Sequence, residues 1–398
     1  MKNSPAEKVT QAIAAALEIP PSAYEKADAR YQDVGSWFSD PKSESSRYSP
    51  HVYPQGSFRM GTVIRPLNDE ESYDLDLGCR LRTGITKTTH TQEFLKSLVG
   101  RDLEAYRTAR RIENELEEMH RCWRLEYADE LSFHLDAVPS IPEEGGQIVQ
   151  LREAMVKQGS SDFLAERVTK HAGGITDNRH PAYRTIAANW RISNSEGYAL
   201  WFESRIKLAL QLLEKRAFEA KAAKVDDLPT WQWKSPLQQC VQILKRHRDV
   251  MFRDNPDGKP ISIILTTLAA AAYQGEEALD DALRRILTDM GKYVRQSRPR
   301  VPNPVNPAED FADKWHDQKY AHLRLEENFW AWLTQAQADF ALIERGGDPA
   351  VLVKQVDFKF GIKLDPRSIS GTFAGPAILT NRKAQVITEA PPKPWMRG

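Results

Sequence analysis

Cysteine is scarce in this chain. Cys79, Cys122 and Cys240 lie far apart among 398 residues. No C-x-x-C pair exists, so neither a zinc ribbon nor a dithiol redox motif is expected, and the odd, sparse count suits a reducing compartment. Net charge is lacking as well. The chain has 55 Lys+Arg against 55 Asp+Glu, whereas a protein that grips duplex nucleic acid by its phosphates usually carries a basic surplus. Long apolar runs are missing. The longest near the middle, 263–273, contains Thr and falls far short of the ~20 residues a membrane span needs. The leading MKNSPAEKVTQAIAAALEIPP has no apolar core followed by a cleavage site and reads as an amphipathic helix. There is no internal repeat and no low-complexity tract. These absences point to a cytoplasmic protein with no membrane partner. At 41% hydrophobic and 28% charged residues, its composition is that of an ordinary globular chain.

The patterning changes along the chain. Residues 4–40 read as two helices split by Pro20-Pro21, and 41–50 as a loop rich in Pro, Ser and charge. HVYPQGSF, DLDLGCRL, CWRLEYA and LSFHLDAV are short β-branched or aromatic segments with partial alternation, and they predict strands. Between the second and third, the spacing of Phe94, Leu98, Leu103, Tyr106, Ile112 and Leu116 predicts a helix over 91–120. From about 150 the chain reads as mostly helical. A helix is expected over 197–224, and another from Ser235-Pro236-Leu237-Gln238, a capping box with Pro at N1. Others follow at about 261–274, 277–296 and 318–345. SRPRVPNPVNP (297–307) reads as extended. The organisation expected is a catalytic core with leading helices over 1–190, an α-helical lobe over 191–367 and a loose tail over 368–398. A cleft between two such lobes is a common place for a small-molecule site.

The chemistry concentrates in three places. Asp74 and Asp76 flank Leu75, and in a strand residues i and i+2 share one face about 6.7 Å apart. Asp136 lies in the apolar strand FHLDAV, where an acid is costly unless a metal ion or a polar edge compensates it. Three carboxylates on adjacent strands suit two Mg²⁺ ions clamping an in-line phosphoryl transfer. Gly56-Ser57 supplies a close-approaching backbone amide and a hydroxyl for a triphosphate oxygen. A D-x-D pair alone usually marks a solvated turn, and a lone Gly-Ser says little. The ordered combination of turn Gly-Ser, strand acid pair and later strand acid is far more specific.

This combination resembles the DNA polymerase β-like nucleotidyltransferases. More closely, it resembles the bacterial cGAS/DncV-like nucleotidyltransferases (CD-NTases) of anti-phage CBASS signalling. YPQGSFRMGTVIRP (53–66), YDLDLGCRL (73–81), FHLDAVPSI (133–141), WRISNSEGYALWFESRI (190–206), LQQCVQILKRHRDVMF (237–252), ISIILTTLAAAAY (261–273) and PVNPAEDFADKW (304–315) carry the likeness. Sixteen residues separate Ser57 from Asp74, an insert that looks typical of this bacterial branch. The resemblance implies an α+β fold: a polymerase β-like core of mixed sheet with helices, plus a helical lobe, around a central active-site cleft. It implies a synthase that makes a cyclic di- or trinucleotide from NTPs, ATP or GTP, with Mg²⁺ or Mn²⁺ and release of pyrophosphate. Asp74, Asp76 and Asp136 would bind the two metal ions, and Asp136 would also help deprotonate the acceptor hydroxyl. Gly56, Ser57, Lys245 and Ser262 would hold the donor triphosphate. Without the resemblance, Lys245 reads as part of a solvated helix face and Ser262 as a helix N-cap.

Asn194 is expected near the nucleobase, since its amide offers both a donor and an acceptor. Trp190, Tyr198 and Trp201 would either stack on a base or pack in the core. Arg101, Arg107, Arg110, Arg111, Arg121 and Arg124 form a basic stretch, but Glu104, Glu113, Glu115, Glu117 and Glu118 interleave with it, which reads as a salt-bridged solvated face. No duplex nucleic acid partner is therefore expected. The resemblance also implies an effector that senses the product, and a ubiquitin-transfer-like protein joining the terminal Gly398 to another molecule. The alternative activity is template-independent addition of nucleotides to RNA or tRNA.

Overall fold

The structure is a computed structural model that describes residues 4–68, 71–127, 133–206, 234–346 and 348–365. Most of the segment expected as a helix over 197–224, and the tail over 368–398 with Gly398, lie outside the described residues. The fold is α+β. Seven strands form one sheet: β1 (Pro50–Pro54), β2 (Tyr73–Leu81), β3 (Glu117–Glu118), β4 (Trp123–Tyr127), β5 (Phe133–Pro142), β6 (Gly173–Ile175) and β7 (Arg191–Ser193). The order along the main path is β1-β2-β5-β4-β3; β6 joins the far end of β5, and β7 pairs with β6. Among the described residues, only β2 and β5 run parallel. The short β6 and β7, of three residues each, are too brief to alternate visibly and escape a sequence reading.

β2 shows why this strand can carry a site. Tyr73, Leu75, Leu77, Cys79 and Leu81 are buried on one face, where they meet α2 (Pro21–Ser39) and α4 (Gln92–Ala109). The other face carries Asp74, Asp76, Gly78 and Arg80, because side chains alternate along a strand. Gly78 is roofed by the Tyr53 ring, which leaves no room for a Cβ. Arg80 is paired with the buried Glu196 at 2.7 Å. One face of a single strand therefore offers carboxylates at its start and an anchor for the neighbouring helices at its end.

α4 stops at Ala109, eleven residues before the predicted end. The chain turns through Arg111 at a φ of +55°, and Glu117–Glu118 pairs with β4 instead. No Gly or Pro marks the break, so the helical spacing of Ile112 and Leu116 misled the reading. Among the described residues, only Arg107 of the arginines of this region pairs with an interleaved glutamate, Glu104; Arg101 pairs with Glu44, Arg110 with Asp33 and Arg121 with Asp177, acids from other segments. Arg124 pairs elsewhere, with Asp136.

The second core is helical. α1 (Pro5–Leu17) packs there with α7 (Ser195–Arg205), α8 (Pro236–Met251), α9 (Ser262–Ala272), α10 (Leu279–Asp289), α11 (Leu325–Arg345) and α12 (Pro349–Phe360). α5 (Gly145–Lys157) and α6 (Asp162–Thr169) contribute Met155, Ala165 and Val168. The longest apolar run forms α9 and is buried. No described helix is long and apolar enough to cross a membrane. The segment expected as extended contains a small hairpin, β8 (Pro302–Asn303) with β9 (Asn306–Asp310).

Candidate active site

A cleft of about 700 Å³ separates the start of β2 from α8 and α9. One wall is α3 (Gly56–Met60), the segment from Thr62 to Asn68, and Asp74 and Asp76. The other includes Lys245, Arg248, Asp249, Ser262 and Thr266. Six of the eight residues expected from the sequence thus meet in one space: Gly56, Ser57, Asp74, Asp76, Lys245 and Ser262.

Gly56 is fixed by its surroundings. Its φ is +65°, and a Cβ there would fall 2.0 Å from Asp76 Oδ2. The turn that presents the Gly56 and Ser57 amides is therefore packed directly on the Asp76 carboxylate. Asp74 is exposed at the strand's start and Asp76 is half-buried. Burial, and then the negative charges of Asp74 and Asp136, push the Asp76 carboxyl up to about 7. Like charges crowded in a partly dry site favour the neutral acid. A divalent cation among them would reverse that preference, and an all-oxygen donor set suits a hard ion such as Mg²⁺. The residues present fit such an ion through Asp74 and Asp76. Among the described residues no three His, Cys, Asp or Glu side chains stand ready as a complete metal-binding group.

Asp136 is the third acid of the region. It is the direct register partner of Asp76 on the parallel strand, so the two carboxylates leave the sheet side by side. Yet both of its oxygens accept from Arg124, Nε to Oδ1 and Nη2 to Oδ2, each at 2.7 Å. The charge cost of a strand acid is met by a neighbouring strand, as Arg124 is the β4 partner of Asp136.

α8 is buried nearly all round, which its amphipathic pattern did not foretell. Its apolar side enters the helical core. Its polar side grips the main chain of the segment after α3. Gln238 Nε2 donates to Met60 O at 2.9 Å, Gln242 Nε2 to Val63 O at 2.6 Å and Lys245 Nζ to Thr62 O at 2.9 Å. Arg246 donates to the carbonyls of Arg65 and Pro66. The 238, 242, 245, 246 spacing puts these long polar side chains on one helix face, but the same spacing fits a solvated face and does not reveal the contact. Lys245 is thus no solvated surface lysine. Burial, and then the nearby Arg248, lower its ammonium to about 8, although Asp249, Asp74 and Asp76 oppose this. Ser262 is the first residue of α9 rather than its N-cap, which is Ile261. Its Oγ accepts from Arg248 Nη1 at 2.9 Å. Arg248, missed in the sequence, also donates to Pro260 O at 2.9 Å and to Asp249 Oδ1.

Asn194 is not in this cleft. It is buried, and it caps α7: Oδ1 accepts from Gly197 N at 3.0 Å and Nδ2 donates to Val168 O at 2.9 Å. Both ends of the amide are engaged inside the protein, and the side chain is buried away from the cleft, so it does not reach a base edge there. Trp190, Tyr198 and Trp201 are buried core side chains, and the packing reading of these aromatics is the one that holds. Close by, Glu196 gathers Arg80 at 2.7 Å, His51 at 3.1 Å and His171 at 3.4 Å. Burial alone would raise the Glu196 carboxyl, but His171, His51 and Arg80 outweigh it and hold it well below the usual carboxylate range.

Residues 50–139 match the family described as cyclic GMP-AMP synthase DncV-like, nucleotidyltransferase domain. Among characterised proteins the chain is similar to a c-di-GMP synthase of Roseivirga ehrenbergii, 29% identical over 77% of this chain and 72% of that one. It is also similar to the cyclic dinucleotide synthase CdnG of Bradyrhizobium diazoefficiens, 25% identical over 79% of this chain and 71% of that one. The solved structure of the Bradyrhizobium CD-NTase CdnG in complex with GTP shares the fold, with a TM-score of 0.61 at 21% identity, over 93% of this chain and 98% of that one.

Proposed function

We propose, from the premise that this chain belongs to the cGAS/DncV-like nucleotidyltransferases, that it joins nucleoside triphosphates into a cyclic oligonucleotide and releases pyrophosphate. The observation that carries this reading is the convergence of Gly56, Ser57, Asp74 and Asp76 with Lys245 and Ser262 across one cleft. The relatives named as cyclic dinucleotide synthases support it.

Each residue's part follows from its chemistry. The Gly56 amide and Ser57 hydroxyl donate to the donor triphosphate, with Gly56 permitting the close approach. Lys245 exchanges its bond to the Thr62 carbonyl for a phosphate oxygen; an ammonium whose present partner is a neutral carbonyl gains from that exchange. Ser262, oriented by Arg248, supplies a further hydroxyl. Asp74 and Asp76, with Asp136 as the third carboxylate, would hold divalent ions, Mg²⁺ or Mn²⁺, which would supply charge neutralisation at the phosphates. Asp136 takes the proton of the acceptor ribose hydroxyl. That oxygen bonds to the donor α-phosphorus, and the bond to the pyrophosphate oxygen breaks. Two such steps close a ring of two nucleotides, and three close a ring of three. In the cell, the product would bind an effector in anti-phage signalling.

The test is direct. Purified protein is incubated with all four NTPs and Mg²⁺ or Mn²⁺, and products are read by mass spectrometry. Cyclic products with matching pyrophosphate, lost in D74A/D76A with the fold intact by circular dichroism, support the reading. Linear tailing of added RNA without cyclic product would sink it in favour of the RNA nucleotidyltransferase alternative.

A further inference from the structure

Asp136 is assigned a metal ion and a proton, yet both of its oxygens are occupied by a side chain of the chain itself. The Arg124 guanidinium meets the carboxylate fork to fork, two parallel bonds of 2.7 Å each. That is the strongest arrangement such a pair can make. It is also built into the sheet. Arg124, Asp136 and Asp76 are successive register partners across β4, β5 and β2. A guanidinium therefore stands on the same sheet face as the carboxylates of the site.

The pair differs from the structural ion pairs of this protein. Arg80 and Glu196 have side chains 8% and 4% exposed. Arg124 and Asp136 are 31% and 19% exposed, so they can part without opening the core. Among the described residues the Arg124 guanidinium hydrogen-bonds only to Asp136, so this side chain is not needed to brace another segment. The fork uses one lone pair of each Asp136 oxygen, so a cation approaching from that side competes with the guanidinium.

We propose that Arg124 is the internal counter-cation of Asp136, displaced when a divalent cation binds. This rests on the nucleotidyltransferase reading above. Arg124 holds Asp136 oriented, and it lowers the affinity of the nucleotide-free site for metal. It also keeps the proton acceptor masked until the metal arrives. Arg124 is a positioning residue, acting through Asp136.

The experiment measures Mn²⁺ binding to nucleotide-free protein by isothermal titration calorimetry, in wild type, R124Q, R124K, D136N and R124Q/D136N. R124Q is expected to bind Mn²⁺ about tenfold more tightly, a shift of about 1.4 kcal/mol. R124K, which keeps a charge but loses the fork, should gain less. In the D136N background R124Q should gain much less, only what the guanidinium's charge on Asp74 and Asp76 contributes, because the main competition runs through that carboxylate. Unchanged or weaker binding in R124Q and R124K, or an equal gain with and without Asp136, would overturn the proposal. Should R124Q fail to fold by circular dichroism, R124K decides by the same criterion. Pyrophosphate release from NTPs by the wild type separates the two failures. Release without the Arg124 effect sinks this inference alone, whereas no release sinks the functional reading beneath it.

Discussion

Gly56→Ala is the sharpest test of how the site is held, because it keeps the backbone N–H and adds one methyl group. The φ of +65° is strained for any residue with a Cβ, at a cost of about 1–2 kcal/mol. At roughly 2–4 °C per kcal/mol for a large domain, the melting temperature should fall by only a few degrees. The new Cβ, however, would stand 2.0 Å from Asp76 Oδ2, 2.9 Å from its Cγ and 3.2 Å from its Cβ. Turning the carboxylate end alone cannot relieve all three contacts, so the Asp76 side chain must leave its place. If Asp76 binds metal, turnover should fall by at least about 100-fold, or 2.7 kcal/mol in the transition state. Gly61→Ala is the matched control. Its φ is +66°, but its Cβ would meet only the far end of the flexible Gln238 side chain, at 2.5 Å. It should lose at least as much stability, since Gln238 must also release Met60 O, while keeping turnover within severalfold. The readouts are kcat/KM by pyrophosphate release and Tm by calorimetry, with G56A/D76A completing a cycle. G56A should add almost nothing to D76A. The reasoning fails if G56A retains more than about a third of wild-type turnover, if G61A is equally inactive, or if the losses in G56A and D76A simply add.

Other expectations follow from the same geometry. The Asp76 carboxyl is raised to about 7 in the folded protein, above its unfolded value, so the stability tied to its proton is present at low pH and lost as pH rises through 7. Thermal shift by Mg²⁺ should accordingly grow from below to above that pH in wild type and lose this dependence in D76N. Glu196 is held below the usual range, so its contribution to stability is present above the unfolded carboxylate pKa and lost on acidification; acid unfolding should be less steep in E196Q. Asn194→Ala should cost about 1 kcal/mol by loss of the α7 cap, measured by denaturant unfolding, with the NTP preference of the enzyme unchanged.

Lys245 and Ser262 were reached only through the family resemblance, whereas the sequence by itself determined the strands that carry the acids, the capping box that starts α8, the apolar run that forms α9, and Gly56, Ser57, Asp74 and Asp76 of the cleft. These were legible because they rest on local physics: alternation places Asp74 and Asp76 on one face, a Ser-Pro-x-Gln start sets a helix end, and a turn Gly tolerates a positive φ. Tertiary structure alone decided the partners. No spacing rule says that the amide of Asn194 is consumed by its own helix and by Val168, or that the polar side of α8 grips the carbonyls of Met60 to Pro66 instead of facing water. The helix predicted through residue 120 ends at Ala109 because β4 offers Glu117–Glu118 a strand to pair with, a competitor invisible to helical spacing. Arg124 is the clearest case. Within a run of alternating charge it reads as one more solvated arginine, and only the register of three strands sets it on Asp136. Charge can be counted along a chain, but which carboxylate a guanidinium neutralises depends on where the backbone brings the two within 3 Å, and that is fixed by sheet order.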